Sequence, residues 1–511
     1  MAANVLVLAT KPGIKRDGTV FEGDYYVDGQ WVRFQRNLPR KIGGYRSIGR
    51  YVPELCRGLH TYTKNQYIYS HAGSASYVNR FTLDANGNAS VLSDRTPVGY
   101  VPDTNNQWMF DVMYSSVSLD NMLIAQVSPD LNNIASNSDG AIYVGDLTAT
   151  TALTAVTLPA NANVSGGIVV LHPYLLYYGN AGLVGWSVAG KPDDLTGSGS
   201  GVARVTGQKI VKGMPLRAGS GSAPAGLLWS YDSLIRVSFT GGSTVFQFDT
   251  ISVETSIMSK NSVIEYDGIY YWCGVDRFLM FNGVVREVPN TMNFNWFFDN
   301  LNPQQRGKVF AIKVPRFGEI WWCFPFGNAT ECTHAVIYNI RENTWYDTIL
   351  PKDQRTAGSF SQLYAAPIMT GAEEQTTGFD IWRHEIGTDA IDETDIEAVR
   401  SYFETCDISL AVMNNQNRKM KISYIEPDFV QKKDMTVTVT GRANARAKTV
   451  TSESFAFPED ATEDLSKQVV PVKEQRRELR LRFESNTVGG DYQMGQILLH
   501  VEPGDGTLVG G

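Results

Sequence analysis

The sequence predicts an all-β protein: a β-propeller of about six or seven blades, with an additional antiparallel β-domain built from the C-terminal segment. Three observations point there. Sets of short strand patterns recur roughly every 40–60 residues between positions 55 and 365, with almost no helical periodicity. The composition, 43% hydrophobic and 11% aromatic with 47 glycines, suits many short strands and tight turns. The stretch 265–283 (EYDGIYYWCGVDRFLMFNG) holds two apolar runs parted by a Gly-Val-Asp-Arg turn and closed by Asn282-Gly283. Asn-Gly favours the type I′ geometry of antiparallel hairpins. Ile269, Tyr270, Tyr271 and Trp272, then Phe278 and Met280, put bulk on both faces of that hairpin, so both faces need cover. Stacked propeller blades provide it; the pattern alone also leaves a sandwich or barrel open.

In chain order, residues 1–50 read as an extended N-terminal arm or docking segment, with turn signals at Lys11-Pro12-Gly13 and Asp17-Gly18. Within 28–46, Trp31, Arg33 and Gln35 fall on one strand face and Val32, Phe34 and Arg36 on the other. Arg33, Arg36, Arg40, Lys41 and Arg46 make this segment locally basic. It is a solvated edge strand on the plain reading, and a docking surface for an acidic partner or neighbouring subunit on the sharper one. Residues 51–397 form the propeller, with strand sets starting at 58, 108, 168, 227, 265 and 310. A short helix is expected near 300–308, where Asn302-Pro303 resembles a helix start. Two Gly/Ser-rich pieces, GSGSG with ends Gly197 and Gly201 and RAGSGSAPAG with ends Arg217 and Gly226, read as flexible loops. An acidic stretch bounded by Asp380 and Glu397 reads as a solvated loop or boundary.

From 398 to 511 the strands lengthen and alternate more cleanly, as in MTVTVT at 435–440, which marks a separate antiparallel β-domain. In RRELRLRFES, Leu479, Leu481 and Phe483 share one face, and Glu478, Arg480 and Arg482 the other. With Arg476 beside them, these arginines form either an ordinary wet face or a set of planar forks for carboxylates across a subunit interface.

The 45 basic residues are outnumbered by 53 acidic ones, and the net charge is -8. That argues against a protein that coats nucleic acid, whose binding rests on neutralised phosphates. It leaves room for one that nucleic acid merely passes. Cys56, Cys273, Cys323, Cys332 and Cys406 lie far apart without a CxxC, and six scattered histidines supply no zinc spacing. The thiols therefore read as buried and reduced. The opening residues lack the charged and apolar regions of a signal peptide, and no run of about 18 apolar residues occurs. No GxSxG, HExxH, phosphate-cradling loop or strand-to-helix GxGxxG is present, nor the Ser-x-Asp-x-Gly-x-x-Trp boxes of propeller sialidases. The expectation is no catalytic residue, no cofactor and no metal.

The N-terminal blocks KPGIKRDGT and DGQWVRFQRNLPRKIGGYR and the C-terminal block RRELRLRFESNTVGGDYQMGQILLHVEPGDG together resemble structural proteins of short-tailed phages. The class is that of tail-nozzle or tail hub proteins, also called tail tubular protein B or packaged-DNA stabilisation proteins. DGIYYWCGVDRFLMFNG, EIWWCFPFGN and YNIRENTW in the middle fit the same class. The resemblance implies a propeller-based virion subunit, six copies in a ring below the portal and its head-tail adaptor, with tail fibres or spikes as further partners. Assembly would take place in the host cytoplasm. Genomic DNA would leave through the ring without tight binding, since an acidic wall repels phosphates. Candidate subunit or adaptor contacts are then Arg33, Arg36, Arg40, Arg46, Arg476, Arg480 and Arg482. Candidate gate loops are those bounded by Gly197 and Gly201, Arg217 and Gly226, and Asp380 and Glu397. The rival readings are a glycan-binding or glycan-cleaving propeller and a monomeric scaffold of the kelch sort.

Overall fold

The computed structural model describes residues 4–19, 24–131, 139–216, 223–242, 244–350, 354–375, 378–410, 418–444, 446–459 and 469–504. Six four-stranded antiparallel meanders follow one another along the chain. Blade 1 runs from Gly58–Lys64 to Ser93–Asp94, blade 2 from Gln107–Ser115 to Thr154–Ala155, and blade 3 from Gly167–Leu171 to Gly201–Arg204. Blade 4 runs from Ile210–Pro215 to Phe246–Ser252, blade 5 from Val263–Tyr266 to Val285–Glu287, and blade 6 from Phe310–Val314 to Thr344–Ile349. Blade 7 takes Ala357–Ser361, Ala366–Gln375 and Gly378–His384 from the end of this region and Tyr45–Val52 from its beginning. Phe379 pairs with Val52 and His384 with Tyr45. The early strand thus clasps the last blade, and the first strand of blade 7 packs beside the first strand of blade 1, which closes the ring. The structure is therefore a seven-bladed propeller, consistent with the strand patterns.

Blades stack through the apolar residues that the sequence places on both strand faces. Trp229 of blade 4 meets Trp272 of blade 5 edge-on at 5.7 Å, and Phe278 lies 5.0 Å from Trp322 of blade 6. In the 265–283 stretch, Cys273 pairs with Phe278 and Tyr270 with Phe281. The I′ geometry expected at Asn282-Gly283 falls two turns earlier. Asp267 and Gly268 both have positive φ between paired Tyr266 and Ile269, whereas Phe281 pairs with Val285 around a three-residue loop in which only Gly283 is left-handed. The helix expected near 300–308 is a 3-10 turn, Pro303–Lys308, with the Asn302 side chain accepting from Gln304 N. An α-helix, Phe294–Asn300, precedes it; its aromatic content hid it from a periodicity search.

The remaining strands form a β-sandwich. One sheet orders Val470–Arg476, Met420–Lys432, Asp491–Pro503, Leu38–Lys41 and Val32–Gln35, with Asn4–Val7 also paired to Asp491–Pro503. The other orders Asp28–Gln30, Ser401–Glu404, Glu478–Ser485, Met435–Arg442 and Val450–Phe457. Leu479, Leu481 and Phe483 face inward against residues such as Ile422, Ile497 and Leu499. This corrects the reading of residues 1–50 as an arm. Trp31, Val32 and Phe34 are fully buried, and an isolated arm has nothing to bury them against. The same apolar cluster continues into blades 6 and 7, where Trp31 meets Trp321 at 5.9 Å and Phe34 meets Tyr346 at 5.3 Å.

Candidate functional site

Arg33 stands at the junction of sandwich and propeller. Alternation along Val32–Gln35 puts its side chain on the opposite strand face from Val32 and Phe34, where it reaches Glu319 of blade 6. Its Nε lies 2.9 Å from Glu319 Oε1, and its two terminal nitrogens reach Glu319 and Glu385. Phe317 lies under the guanidinium at 3.7 Å from the ring centroid. Glu319 also accepts from Trp321 Nε1 at 2.9 Å and Tyr346 Oη at 2.6 Å. Burial opposes the Arg33 charge, but Glu319 and Glu385 outweigh it and hold the guanidinium more firmly protonated than usual. Burial pushes the Glu319 carboxyl up, against Arg33. With 1% of its side chain exposed, Arg33 offers nothing to a neighbouring subunit. It is a clamp inside one chain, which corrects its assignment as an interface residue.

Arg480 and Arg482 share an outer sheet face, as alternation requires, while Arg476 ends a strand of the other sheet, and all three are engaged. Arg480 bonds Glu404 at 3.1 Å and Asp407 at 2.7 Å. Arg482 stacks on Tyr402 at 3.5 Å and lies 3.4 Å from Glu484. Arg476 lies 3.4 Å from Glu474, and Arg40 donates to Gln35 Oε1 at 2.8 Å. Arg36 and Arg46 are the exposed members of the set. Arg36 and Asn37, both at positive φ, form a hairpin turn whose backbone N–H groups donate to Glu342 of blade 6 at 2.8 and 3.0 Å. That fixes the turn and leaves the Arg36 guanidinium outside.

The loop candidates divide. The Gly197–Gly201 piece is the last part of the connection 187–200 between the third and fourth strands of blade 3, and it forms a tight turn into the fourth. Gly197 N donates to Asp194 Oδ1 at 2.8 Å, and Ser200 Oγ to Gly197 O at 2.7 Å. A Cβ on Gly197 would stand 2.5 Å from Asp194 Oδ2. Its glycine therefore serves a close approach, and the flexible reading is corrected. Residues 217–222, including Arg217, lie outside the described residues; Gly226 sits in the second strand of blade 4, where Leu171 packs against it. The Asp380–Glu397 stretch is mostly structured. Asp380 is buried in blade 7 and accepts from Ser47 Oγ, Glu385 holds Arg33, and Asp389 accepts from Gly489 N at 2.9 Å. The hairpin Ala390–Asp392 to Asp395–Glu397, with Glu397 exposed, is its solvated part. The solvated reading is corrected: the partners of these carboxylates, Ser47, Arg33 and Gly489, are distant in sequence.

Sequence reasoning missed the propeller axis. At the end where one blade leads into the next, Asp130 of blade 2 receives Lys260 at 2.8 Å and Lys209 at 3.2 Å. Lys260 also bonds Ser128 Oγ at 2.5 Å and Ser165 O at 3.2 Å. Burial pushes Lys260 down, and Lys209 down to about 8, with Asp130 opposing both. Gln107 Nε2 of blade 2 reaches Gly307 O, before blade 6, at 3.4 Å. A Cβ on Gly307 would stand 2.0 Å from Leu131 O. Opposite blades thus touch, and this end of the axis is closed. Nearby, Glu331 takes Arg57 at 2.7 Å and Lys308 at 2.9 Å, tying blade 1 to blade 6 past blade 7. A lysine inside an apolar strand, as in IVKGM at 210–214, was the available signal.

Among the described residues no group of three His, Cys, Asp or Glu side chains is placed to hold a metal. The five cysteines are unpaired; burial pushes the Cys56 and Cys323 thiols up. No helix among the described residues is long and apolar enough to cross a membrane.

The WD40 β-propeller domain of Doa1 is similar to this chain at 12% identity and a TM-score of 0.38, over 67% of this chain and 96% of its own. No family model and no curated protein matches the chain.

Proposed function

We propose that the chain is a structural subunit of a short-tailed phage tail, a nozzle protein that assembles into a ring, with six copies, around the path by which DNA leaves the virion. The observation that carries this reading is the convergence of its two diagnostic ends. Residues 28–41 of the N-terminal block and the C-terminal block that resemble tail-nozzle proteins belong to one sandwich, where Arg40 pairs with Gln493 and Gly29 pairs with Phe403, which in turn pairs with Phe483. On this reading DNA passes between subunits, in keeping with the contacts of blade 2 with the segment before blade 6 across one end of the propeller axis. The adaptor and fibres or spikes are the further partners of this reading, and the role is structural instead of catalytic.

A ring requires a heterologous contact, with different patches of one subunit meeting the next. Arg36 and Arg46 are the arginines left to make one. Arg480 is held within the chain by Glu404 and Asp407, so it is engaged in the sandwich itself. Electron microscopy of the purified protein should show rings with an axial hole. Arg36→Glu with Arg46→Glu should lower the ring fraction while leaving the melting temperature within about a degree, as expected of exposed sites. A monodisperse monomer by native mass, or depolymerisation of a polysaccharide by the purified protein, would reject the nozzle reading in favour of a scaffold or a glycan-active propeller.

A further inference from the structure

Below the closed end of the propeller axis lies a cavity of about 180 Å³. The first strands of the blades line it, with Leu59, His60, Phe110, Lys212, Asn261 and Phe310 among the wall residues. At roughly 30 Å³ per water, that volume holds on the order of six waters, or one ion of about that many heavy atoms. Lys212 is the charged residue in this wall. Among the described residues its amine makes no ion pair or hydrogen bond, and neither does the side-chain amide of Asn261. The Nδ1 of His60 is likewise buried without a partner.

The charges along the axis do not balance. Lys209, Lys260 and Lys212 stand against Asp130 and Asp111. Asp130 is shared by Lys209 and Lys260. Asp111 spends its oxygens on the backbone N–H groups of Val170 and Val112, at 2.9 and 2.8 Å, and acts on Lys212 only through its field. Lys212, half-buried on the cavity wall, is the cation of this set without a bonded carboxylate, and a cavity partly screened from water strengthens its attraction for an anion.

We propose that this cavity binds a small oxygen anion, an oxyanion or short carboxylate, with Lys212 as its charge partner and Asn261 as a hydrogen-bond donor. Burial pushes the Lys212 amine down to about 8, with Asp111 opposing and Lys260 adding to the effect. His60, pushed down to about 4 by burial, contributes a neutral ring. Binding should therefore weaken as pH rises through about 8, when Lys212 loses its proton.

The test is calorimetric titration and thermal melting of the intact protein with sulfate and with acetate, against chloride at equal ionic strength. Sulfate keeps its charge from pH 7 to 9.5, so the pH arm reports on the protein. Lys212→Met should bind at least about tenfold more weakly and lose the anion-dependent rise in melting temperature. Lys212→Arg should keep both. Asn261→Ala, which leaves every charge in place, should weaken binding several-fold. An equal anion response in the original protein and Lys212→Met, or no binding to the original protein, overturns the proposal. So does Asn261→Ala binding unchanged, should Lys212→Met fail to fold.

Discussion

The propeller and the sandwich are both all-β, but they are assembled by opposite rules. Six of the seven blades pair strands that follow each other directly, such as Tyr266 with Ile269 across two residues. The sandwich pairs Asn4 with Val501 and Gly29 with Phe403. Loop-closure entropy grows only slowly with length, so such distant pairings are affordable once apolar area is buried. They leave no local trace, however. The comparison teaches that a blade is a property of about forty residues, whereas the sandwich is a property of the whole chain.

The sharpest way to break the comparison is to separate the two bodies. One apolar cluster and the Arg33 clamp join them, so calorimetry should show a single unfolding transition. Arg33→Ala leaves buried Glu319 and half-buried Glu385 without their cation, and should cost about 3–5 kcal/mol. It should also split the melt, with the sandwich leaving first. A single transition of unchanged midpoint would show that Arg33 does not hold the junction.

A smaller effect tests the propeller's own closure. Burial opposes the Glu331 charge, but Arg57 and Lys308 outweigh it and hold the carboxyl below its usual range. A carboxyl depressed in the folded state contributes stability above its unfolded value, near 4.3, and loses it as pH falls through the lower folded value. Glu331→Gln should therefore cost ~1–3 kcal/mol at pH 7. The two melting curves should converge as pH falls below about 4. A gap that stays constant from pH 7 to 3 would mean that the carboxylate's charge plays no part.

The smallest effect belongs to the sandwich surface. Arg482 is partly exposed over Tyr402, and Arg482→Ala should cost no more than ~1 kcal/mol in urea unfolding. A loss as large as that of Arg33→Ala would put the two arginines in one class and erase the contrast between clamp and surface.

The sequence by itself determined the elements whose partners are close by. These include the blade meanders, the 265–283 hairpin, the Asn302 cap, and the alternation that sends Leu479, Leu481 and Phe483 inward and Arg480 and Arg482 outward. Period-two patterning and turn chemistry act over a few residues, and they suffice there. Tertiary structure alone decided that Tyr45–Val52 closes blade 7, that the N-terminal segment completes the sandwich, and that the Asp380–Glu397 carboxylates are largely engaged. It also decided that Arg33 is a buried clamp while Arg36 is free, and that three lysines converge on the propeller axis. Alternation says which residues share a face; it cannot say what that face meets. The partners of these residues, Glu319, Phe379, Gln493 and Asp130 among them, stand mostly hundreds of positions away, brought near only when the ring and the sandwich close.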